Sequence, residues 1–498
     1  MRKIKRLYKI LFLSSILNST TNLQIKSGDL MAVKDYSQAL YKENKALKKR
    51  YGIIKSNLEK ALATNIDSQQ TPVIAICCSG GGFRSMLATT GFLCGAKEIG
   101  LLDVTSYITT LSGSTWGLIP WILQDNSINE FRDELMQRMD NFSQMKKQSY
   151  LNLDKLKEIK KFIVDTYYAF YGTKKDDQPK ASFIDWYGII LANLLLNQFE
   201  EKRFELKLSD LAPKIKTGRF PFPIFTAVSQ LDGYKYQWLE FSPLYIASSY
   251  LNSSIKPKAF GAKFYNGTTK NITPEPPLSF LIGIFGSAFS ASLKDTIHRL
   301  ANFSAPKEIL KIIHKTEDKI SKNFWANKKI FPAQVTNFTY GMQNSPIKNV
   351  KQISIVDGGY SCNLPIQPLL QPERKVDIII ILDNTSAKLM PPAFSLKQAE
   401  DEAKRKNQKF PPIDYQKAAS QNFSVFKDQN DPTCPTIIYI PLKKDPTYSQ
   451  FFNPLNAKFC GTTNFFYSKK QAETLAGLTE HIVKKYKDEI WKEVREKM

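Results

Sequence analysis

Between Ile74 and Leu93 the chain reads IAICCSGGGFRSMLATTGFL, and this stretch limits the fold more tightly than any other. Val73–Cys78 is a continuous apolar run without alternation. It needs cover on both faces, so it reads as a strand in the interior of a sheet. Three glycines end it. Met86, Leu87, Phe92, Leu93, Ala96 and Ile99 then recur at helical spacing up to Gly100, a C-cap residue. Strand, tight turn and helix in that order predict an α/β fold with a central sheet. The pattern repeats at once. Val104–Leu111 (VTSYITTL) is rich in β-branched residues and predicts a second strand. Ser112-Gly113-Ser114 follows, then the apolar run Thr115–Leu123.

The remaining chain is consistent with this frame. Residues 31–63 predict an amphipathic helix or helix pair, broken by the Asp67–Pro72 stretch. Residues 124–200 read as mostly helical, and 219–250 as paired strands with turns at Pro221 and Asp232-Gly233. The polar segment 296–345 holds a helical pattern at Ala305–Lys322. Strands are expected at Ile353–Val356, Val376–Leu382 and Thr436–Leu442. A charged, exposed helix is expected at Ser395–Lys409, and a terminal helix from Ser468.

Composition excludes several classes. With 42% hydrophobic and 12% aromatic residues over 498 positions, the chain has material for a large core and is not a disordered one. A net charge of +24 favours anionic surfaces in general. The lysines are dispersed, without a basic block interleaved with aromatics, so no nucleic-acid partner is expected. Six cysteines without a C-x-x-C spacing predict reduced core residues and no metal site. Residues 1–30 read as a signal peptide or a disordered leader. A positive stretch, MRKIKRLYK, precedes the short apolar run ILFLSSIL, and no A-x-A site follows. Export follows in the first case and a cytoplasmic protein in the second. No run reaches the roughly 18–20 apolar residues of a spanning helix.

A three-glycine turn serves a phosphate cradle, a dinucleotide or an oxyanion hole. A phosphate-binding P-loop requires Lys followed by Ser or Thr after its last glycine, and Gly80-Gly81-Gly82-Phe83-Arg84-Ser85 has Arg in the wrong place and no Lys. A dinucleotide turn needs Gly or Ala where Ser85 stands and an acid after the next strand, whereas Asp103 comes before it. The oxyanion reading needs only unpaired N–H groups at a helix start, which glycines leave open to substrate. It also requires a nucleophile at a second strand-to-helix turn, and Ser112 occupies such a turn. Both glycines of a G-x-S-x-G elbow are replaced, by Thr110 and Ser114. His298, His314 and His481 stand beside no motif. Asp357, between the strand ISIV and Gly358-Gly359, is the better candidate base, giving a Ser-Asp dyad rather than a triad.

Taken together, SGGGFRSM, TLSGSTW and VDGGYSCNLPIQPLLQPERKVDIIIILDNT resemble, in order and spacing, the catalytic domain of the group IV cytosolic phospholipase A2 family, which includes the phospholipase B enzymes. FPFPIFTAV, WLEFSPLYIAS, AFGAKFYNG and PLSFLIGIFGSAFS are similar to that family as well. The resemblance implies a central mixed β-sheet flanked by helices, in a patatin-like architecture with inserted cap or lid segments. It implies a catalytic domain over 71–495, preceded by a helical segment at 31–70, with 296–345 in the position of a lid. It implies Ser112 as nucleophile, Asp357 as base, Gly81 and Gly82 as oxyanion donors, and Arg84 on the substrate phosphate. The implied substrates are glycerophospholipids and lysophospholipids at a membrane surface. No cofactor and no metal are implied, and a monomer is expected. The family carries Gly where this chain has Thr110, so a strained or shifted elbow is expected there. The rival readings are a catalytically impaired membrane adaptor and a patatin-like acyl hydrolase.

Overall fold

In the computed structural model, residues 30–67, 71–149, 183–232, 235–271, 273–288, 332–385, 390–462 and 464–498 are described. The leader, the helical pattern at Ala305–Lys322 and most of the segment expected as a lid lie outside them. The strands are β1 (Ile74–Cys78), β2 (Thr105–Leu111), β3 (Phe222–Asp232), β4 (Lys235–Phe241), β5 (Ile246–Ser248) and β6 (Ser253–Ile255). They continue with β7 (Phe264–Tyr265), β8 (Thr268–Thr269), β9 (Ala333–Thr336), β10 (Gln352–Asp357), β11 (Ile378–Asp383), β12 (Ser424–Phe426) and β13 (Thr436–Pro441). The longer helices are α1 (Tyr36–Leu62), α2 (Phe83–Glu98), α3 (Gly113–Gln124), α4 (Ile128–Ser149) and α5 (Phe183–Leu195). After them come α6 (Leu278–Phe285), α7 (Phe394–Arg405), α8 (Lys469–Lys485) and α9 (Lys487–Glu496).

Eleven strands form one mixed sheet in the order β12-β13-β11-β1-β2-β3-β4-β5-β6, with β10 and β9 attached through β3. β7 and β8 form a separate hairpin. The interior strands β11 (IIIILD), β1 (IAICC) and β2 (TSYITTL) are buried at every position, as their unbroken patterns demand. β13, β11, β1, β2 and β3 run parallel, so their carboxyl ends share one rim. Turns that follow parallel strands gather on that rim, where open α/β sheets place their ligands.

β3 is the ruler of the site. Its first half pairs with β2, ending at Leu111 opposite Thr226. Its next residues pair with β10 on the same edge, with Asp357 opposite Ala227. β2 is parallel and β10 antiparallel to β3, so the two strands approach one another head to head. Their last residues face consecutive positions of β3, about 3.4 Å apart along the strand.

α2 packs along α8 and α3, α5 against α6, and α1 over β2 and the β5–β6 hairpin. α1 is tied in by buried charge. The Arg374 guanidinium contacts Glu43 of α1 at 2.9 Å and Glu240 of β4 at 2.6 Å. Tyr36 and Tyr245 donate to the same carboxylates. Arg50 donates to the carbonyls of Thr105 and Leu102. All six cysteines are free and buried.

One sequence expectation is corrected. The helix at Ser395–Lys409 runs over Phe394–Arg405, and one of its faces is buried. Leu396, Ala399 and Ala403 pack into the core, and Glu402 accepts from Trp238 Nε1 at 2.9 Å while pairing with Lys406. Its dense charges conceal an apolar stripe.

Candidate active site

Ser112 ends β2 and caps α3 with φ 53° and ψ −124°. Positive φ is costly for a residue with a Cβ, by about 1–3 kcal/mol, and such strain clusters at functional turns. The structure places this strain at Ser112, not at Thr110. Thr110 keeps strand pairing to Cys78 and Phe225, and its Oγ1 accepts from Thr115 Oγ1 at 3.0 Å. Ser114 Oγ accepts from Leu111 N at 2.9 Å and lies 2.7 Å from Leu111 O, which staples the elbow.

The next residue explains the sharpness of the turn. A Cβ on Gly113 would stand 1.8 Å from the Gly82 carbonyl oxygen, so only glycine lets the elbow touch the glycine turn. A Cβ on Gly80 would likewise lie 3.0 Å from Ser112 Cβ. The two turns thus meet. Gly81 and Gly82 take φ of 146° and 62°, and among the described residues neither amide N–H has an acceptor. Gly82 is also the N-cap of α2, where the helix dipole favours negative charge.

Asp357 completes the cluster. It is 1% exposed and Ser112 is 7% exposed. Its Oδ1 accepts from Gly359 N at 2.9 Å, and its backbone N–H donates to Ser287 Oγ at 3.1 Å. Burial pushes the carboxyl up to about 7, opposed by the Gly359 N–H and the Ser112 hydroxyl. The Ser112 hydroxyl is close enough to lower that value, yet among the described residues Oδ2 has no partner at standard hydrogen-bond geometry. The Ser–Asp contact is therefore a loose one, as is common in sites without substrate. The phenol of Tyr187 is raised by burial and then by the Asp357 charge, which places it near the same carboxylate.

Arg84 lies at the start of α2, 3% exposed. Its Nε donates to Asn384 O at 3.0 Å, and its Nη1 to Cys460 O at 2.7 Å and Thr462 Oγ1 at 3.0 Å. Among the described residues Nη2 has no bond of this kind, and it sits beside Gly81, 2.7 Å from where a Cβ there would stand. The structure thus brings Ser112, Asp357, Gly81, Gly82 and Arg84 into one cluster, with most of the arginine fork already engaged by the protein.

Sequence reasoning missed the braces. Asn363 Nδ2 donates to Gly80 O at 3.2 Å and to Thr385 Oγ1 at 2.7 Å, tying the Asp357 loop to the glycine turn. Asn384 N donates to Ser79 Oγ at 2.6 Å, and Ser85 Oγ donates to Ser79 O at 2.5 Å. Asn363 lies in VDGGYSCN and Asn384 in ILDNT, so their motifs were visible but their bonds were not. Of the histidines, His298 and His314 lie outside the described residues. His481 Nε2 contacts Thr447 Oγ1 at 2.9 Å and is not part of the cluster. Among the described residues no group of acidic, His and Cys side chains is arranged to hold a metal ion.

A strained serine, glycine amides unpaired among the described residues and a buried carboxylate on one rim of a mixed sheet make up a candidate serine–carboxylate site on an α/β scaffold. The chain belongs to the family described as "Lysophospholipase catalytic domain", whose profile matches residues 74–449. It is 26% identical to mouse cytosolic phospholipase A2 zeta over 470 residues and 25% identical to the human protein of that name over 460. Each alignment covers 80% of this chain and 52% of the relative, so the chain spans about half the length of these relatives. The solved structure of human GIVD cytosolic phospholipase A2 superposes with a TM-score of 0.75 at 20% identity, over 94% of this chain and 66% of that one. The same human protein in complex with methyl gamma-linolenyl fluorophosphonate gives 0.71, at 20% identity over 94% and 65%. The fold is that of the cytosolic phospholipase A2 catalytic architecture.

Proposed function

We propose that the chain is a lipid-ester hydrolase of the phospholipase A2 or lysophospholipase type, working through an acyl-serine. Asp357 accepts the Ser112 proton as the hydroxyl attacks the ester carbonyl. The Gly81 and Gly82 amides receive the developing oxyanion. The carbonyl re-forms, the C–O bond to the glycerol breaks, and protonated Asp357 returns its proton to the leaving lysophospholipid. Water then attacks the acyl-serine with Asp357 again as base, releasing fatty acid and restoring the hydroxyl. No step uses a metal ion. Arg84 has only Nη2 left for a substrate phosphate, so its contact is a single-nitrogen one beside the oxyanion turn.

The observation that carries this reading is the head-to-head meeting of β2 and β10 on β3. It sets a buried, unsatisfied carboxylate oxygen against the strained serine. A carboxyl held near 7 suits a base that works at neutral pH. The regular strand backbone at Thr110 favours an active enzyme over an impaired adaptor. Fatty-acid release from sn-2-labelled phosphatidylcholine vesicles in EDTA, and from lysophosphatidylcholine, tests the proposal. Release from either by wild type and none by Ser112→Ala is expected. Absence of release from both substrates, with vesicle binding intact, would hand the case to the adaptor reading.

A further inference from the structure

Phe451 is fully exposed, at 100%, and the next most exposed large apolar side chain among the described residues, Tyr41, reaches 63%. The exposure does not come from a loose tip. Ser449 Oγ accepts from the N–H groups of both Phe451 and Phe452. Phe452 stacks on Phe459 at 5.7 Å, and Phe459 packs edge-on against Tyr467 at 5.8 Å. Upstream, Asp445 is fully buried and paired with Lys485 of α8 at 2.8 Å. Downstream, Asn453 O accepts from Asn456 N and Ala457 N. The loop is braced on both sides, and it holds one aromatic ring in water.

The loop's position gives that ring a use. It follows the carboxyl end of β13, on the rim that carries Ser112 and the glycine turn. Three residues after Phe451, Pro454 begins the wall of a small pocket that Leu455, Cys460 and Gly461 share with Arg84. The Thr462 carbonyl would touch a Cβ on Gly82. Lysines lie near it along the chain, and Lys458 precedes the Phe459 ring that stacks on Phe452. Lys458 is exposed, and Lys444 with Lys417 lines an open groove of about 550 Å³ beside the same loop. Neither Lys444 nor Lys458 has a carboxylate partner among the described residues.

We propose that Phe451 is an interfacial anchor. Its ring enters the acyl boundary of an anionic phospholipid surface, Lys444 and Lys458 meet the headgroups, and the active-site rim is thereby set against the bilayer. An aromatic ring with cations at its flank is the combination that binds such surfaces. The role assigned to that surface rests on the hydrolase reading, but the binding itself does not.

The test uses the full chain with Ser112→Ala, so that vesicles are not consumed. Partitioning onto phosphatidylcholine vesicles containing phosphatidylserine is measured by sedimentation. Phe451→Ser should weaken it at least about ten-fold, the lower end of what burial of one aromatic side chain supplies. The double change Lys444→Gln and Lys458→Gln should weaken binding only where phosphatidylserine is present, and salt should abolish that difference. Because the native cysteines are all buried, a Phe451→Cys variant can be labelled there with a polarity-sensitive dye. Its emission should shift to the blue on vesicles. Unchanged partitioning of Phe451→Ser, or a dye that stays in water, would overturn the proposal. With Ser112 restored, Phe451→Ser should hydrolyse a soluble short-chain ester at the wild-type rate, and a loss there would overturn it as well. Failure of wild type to release fatty acid from both phosphatidylcholine and lysophosphatidylcholine would sink the hydrolase reading and leave the partitioning result standing.

Discussion

Asp357→Asn separates catalysis from stability and gives the sharpest quantitative prediction. Burial raises the Asp357 carboxyl from an ordinary 3.8 to about 7. At about 1.4 kcal/mol per pH unit, holding the ionised form costs the folded state about 4 kcal/mol. Below about pH 3 the carboxyl is protonated in folded and unfolded chains alike, and the cost vanishes. As pH rises the unfolded chain ionises first, so the cost grows and levels off above about pH 7. Asparagine keeps the shape. Its Oδ1 can accept from Gly359 N, and its Nδ2 can donate to Ser112 Oγ. The variant should therefore be inactive and more stable than wild type. The margin should be about 4 kcal/mol near pH 8 and about 2 kcal/mol near pH 5. Urea unfolding of both proteins at the two pH values measures it. A gap that fails to widen towards pH 8, or a variant less stable there than wild type, would refute the assignment of Asp357 as a buried carboxylate held ready to ionise.

Other expectations follow from the same geometry. Gly113→Ala places a Cβ 1.8 Å from the Gly82 oxygen, so the elbow must open, and turnover should fall at least about 100-fold in a folded protein. Ser112→Gly should abolish turnover and raise stability by about 1 kcal/mol, read by urea unfolding, because glycine accepts φ 53° without strain. Arg84→Lys should reduce hydrolysis of phospholipid more than that of a neutral ester if Nη2 meets the phosphate. An equal loss on both would show that the guanidinium only braces the turn.

Much of this was legible in the sequence, and for physical reasons. Continuous apolar runs with a glycine turn fixed β1 and α2, and the strand-to-helix change at Ser112 marked the elbow. What lay hidden depends on long-range pairing. Asp357 is a plain turn aspartate until β3 sets it one register position beyond Leu111. Asn363 reaches Gly80 across 283 residues of sequence, and no local pattern announces that bond. β12 leaves no sequence signature, because three residues, Ser424–Phe426, are too few to show a period. α7 reads as exposed because its lysines and glutamates outnumber the three apolar residues that pack into the core. Thr110 itself keeps a regular strand backbone, and the positive φ of the elbow falls on Ser112.

The central claim is that Ser112 is activated by Asp357. It is tested most directly by peptide mapping after treatment with a fluorophosphonate, which traps activated serines. One adduct is predicted, on Ser112. It should form rapidly with wild type, far more slowly with Asp357→Asn, and not at all with Ser112→Ala. Labelling of another serine, or equal rates for wild type and Asp357→Asn, would contradict the account.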